Sequence, residues 1–256
     1  GVPGNSDATV PGFITGAATN LRPWRAKNYD YSVEYYLPRN GLLMFNWYRK
    51  DIRDFFGTIQ QAADEALLRE LGVPNDALGY RYTRSVNIGD ARIQGWETRA
   101  EIPLANLGGW SPLSGFADHW GRHFTVMANF THLTLKGTRI TSRDWRRYIP
   151  RSKNFGLRFN FGKVSGNVLA NWRGKMLRDT NSSFPGANEY IRARWQIDGN
   201  IEYQFARRYS VFFAGRNLFN APSQWEVSGP GVPSWATLTN HEDYGAQYSL
   251  GARATF

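Results

Sequence analysis

Residues 191–205 have the sequence IRARWQIDGNIEYQF, in which apolar and polar side chains alternate almost without interruption. The first set consists of Ile191, Ala193, Trp195, Ile197, Gly199, Ile201, Tyr203 and Phe205. Every residue between them is polar or charged. Because successive side chains of a strand point to opposite faces, this period of two predicts a long β-strand with one apolar and one polar face.

The same alternation recurs along most of the chain and predicts an all-β, antiparallel fold. Nine strands are predicted, at residues 27–37, 42–56, 91–103, 123–135, 153–161, 164–175, 191–205, 209–218 and 244–256. Helical spacing occurs in one place, where Ile59, Ala63, Ala66, Leu67 and Leu71 predict a short surface helix. Residues 1–26 are rich in Gly, Pro, Asn and Thr and are interpreted as a loop.

The composition excludes several classes of protein. The 256 residues are 15% aromatic, which argues against intrinsic disorder. Cysteine is absent from the sequence, so disulfide scaffolds, thiol nucleophiles and cysteine metal sites are excluded. No continuous apolar run approaches the roughly 20 residues of a membrane helix, whereas a membrane β-barrel needs only alternation.

The links between the predicted strands alternate in length. Short links lie at 38–41, 162–163 and 206–208, and long links at 57–90, 136–152, 176–189 and 219–243. The link at 104–122 is the exception, because it has medium length but lies at the end where the short links are expected. Short turns at one end and long loops at the other are typical of an outer-membrane β-barrel. On pattern alone, a β-sandwich or jelly roll is the alternative.

Four stretches occur in an order that matches one known family. Residues 26–36 (AKNYDYSVEYY), the Asn40-Gly41 turn and residues 45–55 (FNWYRKDIRDF) are similar to a mid-barrel hairpin of that family, and residues 89–97 (GDARIQGWE) to its next strand. Residues 215–220 (GRNLFN) resemble its penultimate strand and residues 244–256 (YGAQYSLGARATF) its last. The family is the TonB-dependent outer-membrane transporters of Gram-negative bacteria.

The resemblance implies the rest of the architecture. Such barrels have about 22 strands around a plugged lumen, with the plug N-terminal to the barrel. The sequence shows no plug, TonB-contacting box or signal peptide, so residues 1–256 are expected to be the C-terminal part of a transporter barrel. Residues 27–256 would supply strands, short periplasmic turns and long extracellular loops. Tyr248, Leu250 and the terminal Phe256 resemble the signal recognised by the barrel-assembly machinery.

The implied function is TonB-dependent active uptake of a scarce, bulky nutrient, such as an oligosaccharide or a siderophore, across the outer membrane. The expected partners are membrane lipids, lipopolysaccharide, the TonB complex, the barrel-assembly machinery and a possible surface lipoprotein. Aromatic rings in loops can stack on sugars or aromatic chelators, so Trp145, Trp225 and Trp235 are candidate ligand contacts. The alternative is that these rings anchor loops to one another.

No catalytic or cofactor motif is found, so neither an enzyme nor a cofactor is expected. The four histidines have no metal-binding spacing, and no metal site is predicted. The formal charge of +10 is dispersed over many strands, which argues against nucleic acid and leaves a basic lumen attracting anions as an open idea. Two other functions stay open: a passive porin-like channel, and a structural barrel in a surface assembly.

Overall fold

The computed structural model describes residues 12–108, 114–137, 147–180 and 186–255. These residues form fourteen strands: β1 (Phe13–Thr15), β2 (Arg25–Leu37), β3 (Gly41–Ala62), β4 (Arg81–Pro103), β5 (Phe124–Gly137), β6 (Arg151–Asn160), β7 (Val164–Arg173), β8 (Met176–Asp179), β9 (Asn188–Ile191), β10 (Arg194–Ala206), β11 (Tyr209–Arg216), β12 (Ser223–Ser228), β13 (Leu238–Glu242) and β14 (Gln247–Ala254). The two α-helices are α1 (Glu65–Leu71) and α2 (Ser114–His119).

Most of these strands form one main sheet in the order β2-β3-β4-β5-β6-β7-β10-β11-β14, with β1 pairing in parallel beside β4. From β5 onward each neighbouring pair is antiparallel. All nine predicted strands are present and adjacent in the predicted sequence order. Their boundaries differ most at the predicted long link 57–90, because β3 continues to Ala62 and β4 begins at Arg81, ten residues before its predicted start. A smaller difference occurs at 191–205, where Ile191 belongs to β9 and β10 begins at Arg194.

The main sheet has two chemically different faces. Its apolar face carries large side chains that are substantially exposed, including Phe155, Leu157, Val168, Trp195, Ile201, Phe213 and Leu250. Its polar face carries residues such as Asn154, Asn167, Asn171, Gln196, Asp198, Asn200 and Glu202. Among the described residues, Leu68 is the only large side chain buried to below 2% exposure, so no packed apolar core covers the apolar face.

A tight turn joins β2 to β3, as the sequence predicts. Arg39 and Asn40 have φ angles of 56° and 62°, and the amide of Gly41 donates to the carbonyl of Pro38 over 3.3 Å. Left-handed conformations at both central residues define a type I′ hairpin turn. The two central residues are therefore Arg39-Asn40, and Gly41 is the first residue of β3.

A second sheet is formed by the two long connections that flank β10 and β11. Its order is β13-β12-β9-β8, and each pair is antiparallel. The strands β8 and β9 come from the connection after β7, whereas β12 and β13 come from the connection after β11. The interpretation of 176–189 and 219–243 as loops without strands is therefore wrong.

The remaining elements correct two further expectations. The predicted helix exists, but α1 begins at Glu65 after an N-cap at Asp64, and Ile59 lies within β3. The stretch 1–26, interpreted as a loop, contains β1 and the first residues of β2. In the part of the chain that the structure describes, no helix has the length and apolar character needed to cross a membrane.

By contacts the chain divides into two compact units. One comprises the described residues of Gly1–Asn28, Lys50–Ile93 and Leu135–Asp144, and its small core contains Ala63, Leu68 and Ala77. The other comprises those of Tyr29–Arg49, Gln94–Thr134 and Trp145–Phe256, and it holds the second sheet and the strands from β6 to β14.

Candidate functional site

The polar face of the second unit is organised by side-chain hydrogen bonds between neighbouring strands. Asn154 donates to Asn129 over 3.3 Å, and Asn200 donates to Asn167 over 3.2 Å. Further ladders of this kind link Asn171 and Gln196 to Asp198, and Glu202 to Ser210 and Arg253. These bonds hold the amide and carboxylate groups in fixed positions on one face.

Two arginines lie at the end of this polar face, where the chain passes from β7 and β10 into the second sheet. Arg173 is the last residue of β7, Arg194 is the first residue of β10, and they are directly opposed in the ladder. Arg194 donates to Gln196 over 3.2 Å, whereas the buried Nε of Arg173 has no hydrogen-bond partner. Neither guanidinium forms an ion pair within the described part of the chain. Opposed like charges without an acidic partner favour an anion beside them.

The second sheet is held by ion pairs between its strands and the residues next to them. Arg192 Nε lies 2.5 Å from Glu226 Oε2, and Lys175 pairs with the other oxygen of Glu226. A separate pair joins Arg178 of β8 to Glu189 of β9. Burial raises the pKa of Glu226, but the hydrogen bonds and charges of Lys175 and Arg192 outweigh it and hold the pKa below the usual range.

A further acidic group of the second sheet is held ionised by its neighbours. Hydrogen bonds from Tyr244 and Asn240, acting against a smaller effect of burial, hold the pKa of Glu242 below its ordinary value. The same bond to Glu242 raises the pKa of the Tyr244 hydroxyl. At neutral pH, Tyr244 is therefore a donor and Glu242 an acceptor.

The sequence-predicted tryptophans occupy different environments. Trp225 lies in β12, and the guanidinium of Arg178 covers its ring at 3.7 Å from the ring centre. Trp235 lies in the 3₁₀ turn Ser234–Ala236 of the second sheet's outer connection and is 84% exposed. Trp145 lies outside the described residues. The structure therefore leaves the ring of Trp235 open and covers one side of Trp225.

The connection after β11 is fixed at its start by Asn217. This residue has a left-handed φ of 52°, and its backbone amide donates to Asp198 over 2.8 Å. Its side chain accepts from the amide of Ala221 at 2.8 Å and donates to the carbonyl of Gly245 at 3.2 Å. One asparagine thus ties both ends of the connection to β10.

The residues predicted as an assembly signal lie on the last strand of the main sheet. Tyr248 and Leu250 in β14 are 58% and 81% exposed, and the ring of Tyr248 stacks on Phe213 with centroids 5.8 Å apart. Phe256 lies outside the described residues. Among these, β14 pairs only with β11, so its other backbone edge is open.

Comparison with known proteins identifies the family. Residues 2–218 match the family model described as TonB dependent receptor-like, beta-barrel. The chain belongs to the TonB-dependent receptor family. No curated protein matches the sequence significantly.

Solved structures of receptors and transporters are similar in fold. The ferric-catecholate import receptor Fiu of Escherichia coli K12 is 14% identical, with a TM-score of 0.59 over 95% of this chain and 30% of that one. A ferric enterobactin receptor (PfeA) mutant of Pseudomonas aeruginosa is 12% identical, with a TM-score of 0.59 over 92% and 32%. The copper transporter OprC is 16% identical, with a TM-score of 0.57 over 97% and 34%. The chain thus spans about a third of these proteins.

These comparisons confirm the predicted family, the antiparallel β-barrel fold and the location in the outer membrane. A TonB-dependent receptor of this fold contacts lipid with its outer surface, which explains why the apolar face is exposed. The polar face accordingly lines the lumen. Sequence reasoning did not single out Arg173, Arg178 or Asn217 as site residues, because the contacts of each depend on strand register or on the second sheet.

Proposed function

We propose that the full-length protein takes up a scarce, bulky nutrient across the outer membrane, energised through the TonB complex. Family membership supports this proposal, since the structurally similar proteins named above are a ferric-catecholate import receptor, a ferric enterobactin receptor and a copper transporter. The present chain contributes its C-terminal barrel strands. No chemical change of the nutrient is involved.

The observation that supports a particular class of nutrient is the pair of arginines at the end of the polar face, which form no ion pair with a described residue. Arg173 and Arg194 present two cationic groups toward the lumen without an acidic partner in the described residues. Charge-assisted hydrogen bonds from guanidinium groups suit oxyanions and metal-bound oxygen ligands. We therefore propose an anionic ligand, with the exposed ring of Trp235 and the uncovered side of Trp225 as stacking surfaces.

Orientation follows in the same proposal. The short turns at 38–41, 162–163 and 206–208 would face the periplasm, and the second sheet would face the outside, where ligand arrives. Lipopolysaccharide would surround the outer rim, and the barrel-assembly machinery would recognise β14 with Tyr248, Leu250 and Phe256. Protease clipping at residues 229–231 in intact cells supports this orientation, whereas cleavage only in permeabilised cells contradicts it.

The ligand class is tested by calorimetry on the purified full-length protein, with a ferric tris-catecholate and a neutral oligosaccharide as probes. The double variant R173Q/R194Q is expected to weaken binding of the anionic probe by roughly 100-fold or more, since it removes two charged hydrogen bonds that contribute about 1.5–3 kcal/mol each. Arg207→Gln, in the turn at the opposite end of β10, is the matched control. Equal affinity of all three proteins for the anionic probe would reject the arginine site.

Energy coupling separates the proposal from a passive channel. Uptake of the bound probe is measured in cells with and without TonB. Uptake that disappears without TonB supports active transport. Uptake that persists at the same rate supports the porin-like alternative, and binding without uptake in either strain supports a structural or surface-assembly role.

A further inference from the structure

The link between β4 and β5 differs from the other links at its end of the sheet. The turns at Arg39-Asn40, Gly162-Lys163 and Arg207-Arg208 contain two residues each, whereas Leu104–His123 contains a 3₁₀ turn, α2 and a second 3₁₀ turn. A hairpin needs no such length. Its described residues, 104–108 and 114–123, therefore require a separate explanation.

Ring contacts place α2 beside the apolar face of the main sheet. Phe116 of α2 lies 5.9 Å from Phe124, and Trp120 lies 6.0 Å from Phe161, measured between ring centroids. Phe124 and Phe161 in turn contact each other at 5.4 Å. Phe124 begins β5 on the same face as Val126, and Phe161 directly follows β6 at the same alternate spacing as Leu157 and Phe159. Phe116 and Trp120 of the link thus lie on the lipid-facing side of the main sheet.

The described part of the link exposes two aromatic rings and packs its small residues closely against its own backbone. Ala117 is 2% exposed, and a Cβ on Gly121 would lie 2.6 Å from the backbone nitrogen of Ala105. Only glycine permits this close approach between the two 3₁₀ turns. In contrast, Phe116 and Trp120 are 45% and 46% exposed, on the side that is continuous with the apolar face.

We propose that α2 and the residues that follow it, 114–123, form an interfacial anchor that inserts Phe116 and Trp120 into the glycerophospholipid leaflet at the short-turn end of the barrel. The lipid-facing surface of the main sheet continues directly into these rings, so the same lipid covers both. Tryptophan and phenylalanine on a short amphipathic segment bind at the boundary between headgroups and acyl chains. Arg122, whose Nε donates to His123 Nε2 over 3.2 Å, is exposed beside them and supplies a positive charge for a lipid phosphate.

Depth in the bilayer is measured by spin labelling of the full-length protein in vesicles of phosphatidylethanolamine and phosphatidylglycerol. Labels are attached at Phe116→Cys and Trp120→Cys; these 256 residues contain no cysteine, and any cysteine elsewhere in the full-length protein is first replaced by serine. Val168→Cys, 46% exposed on the apolar face, is the lipid reference, and Lys163→Cys in a short turn is the water reference. We expect the two anchor labels to collide with oxygen severalfold more than with a nickel chelate, as the Val168 label does.

The anchor is rejected when the labels at 116 and 120 show the nickel accessibility of the Lys163 label, which would also favour a water-side protein contact. Fluorescence provides an independent measurement with conservative variants. In vesicles of brominated-chain phospholipid, Trp120→Phe should lower the quenched fraction of tryptophan emission, whereas Trp235→Phe should raise it. Equal changes in both variants contradict the proposal. Neither experiment depends on nutrient uptake or orientation, since the vesicle lipid is the same in both leaflets.

Discussion

Replacing Leu157 with arginine tests the assignment of the apolar face at its most sensitive depth. Leu157 is opposed by Val126 on β5 and by Val168 on β7, and all three side chains are 37–46% exposed. It lies six residues beyond Arg151, the first residue of β6. At about 3.3 Å per residue and a strand tilt of about 40°, this corresponds to roughly 15 Å along the membrane normal. Leu157 is therefore near the middle of the apolar band, which is about 25 Å tall.

The expected cost follows from that depth. An arginine facing lipid at the bilayer midplane destabilises a barrel by about 2–4 kcal/mol. Since about 1.4 kcal/mol corresponds to a factor of ten, Leu157→Arg should lower the ratio of folded to unfolded protein by roughly 30- to 700-fold. The measurement is denaturant unfolding of the full-length protein in phosphatidylcholine vesicles, with assembly in cells followed by heat-modifiable mobility.

Asn167→Arg is the matched control at the same depth on the polar face. Asn167 precedes Val168 in β7 and accepts a hydrogen bond from Asn200 over 3.2 Å. Loss of that bond costs about 1 kcal/mol, and the new guanidinium points into the wet lumen. A loss of equal size in both variants, or no loss for Leu157→Arg, would refute the assignment of the two faces.

Three further variants test local features of the structure. Because the pKa of Glu226 is held below its ordinary value of 4.5, its contribution to the stability of the second sheet is present above that pH and is lost as the pH falls through the lowered value. Glu226→Gln should remove about 1 kcal/mol at pH 7 and flatten this pH dependence, measured by hydrogen exchange of β12 and β13. Asn217→Ala should lower the free energy of unfolding by roughly 2–4 kcal/mol, because alanine loses the side-chain hydrogen bonds and is also strained at the left-handed φ of 52°. Asn217→Gly should cost about half of that, because glycine adopts this φ without strain and loses only the hydrogen bonds. Equal costs for the two variants would show that the effect lies entirely in the hydrogen bonds. Gly95→Val should destabilise the folded barrel by about 3 kcal/mol, since a Cβ there would lie 2.4 Å from the carbonyl oxygen of His132. A normal yield of folded barrel, measured by heat-modifiable mobility, would show that the two strands can move apart.

The main sheet could be predicted from the sequence because its determinants are local. Alternation over eight or more residues specifies both the strand and its two faces, as in β6 and β10. The tight turn at residues 38–41 was also predicted from adjacent residues, although Asn40-Gly41 was expected as its centre and the structure has Arg39-Asn40 there. The predicted strand boundaries were less accurate, because a strand begins and ends where its neighbours begin and stop pairing with it, and this is not visible in its own sequence.

The second sheet was missed because its determinants are not local. Its strands contain four to six residues, too few to show a period, and β9 pairs with β12 across more than thirty residues of chain. The environment of Trp225 depends on Arg178, which reaches it only through this sheet. The opposition of Arg173 and Arg194 likewise depends on the register between β7 and β10. The roles proposed for Trp145, Trp225 and Trp235 in binding remain predictions.

The pairing of β9 with β12 also determines what an antibody or a phage tail fibre would recognise on the cell surface in the proposed orientation. Trp225 is paired with Ile191, and Glu226 with Tyr190, so adjacent surface residues come from two separate connections. An epitope that spans the pairing of β9 with β12, here called the seam, is therefore discontinuous in sequence. A peptide copied from either connection lacks half of the contacts and the backbone pairing that fixes them. An immunogen or a receptor decoy based on this surface must therefore carry both connections, held together at the seam.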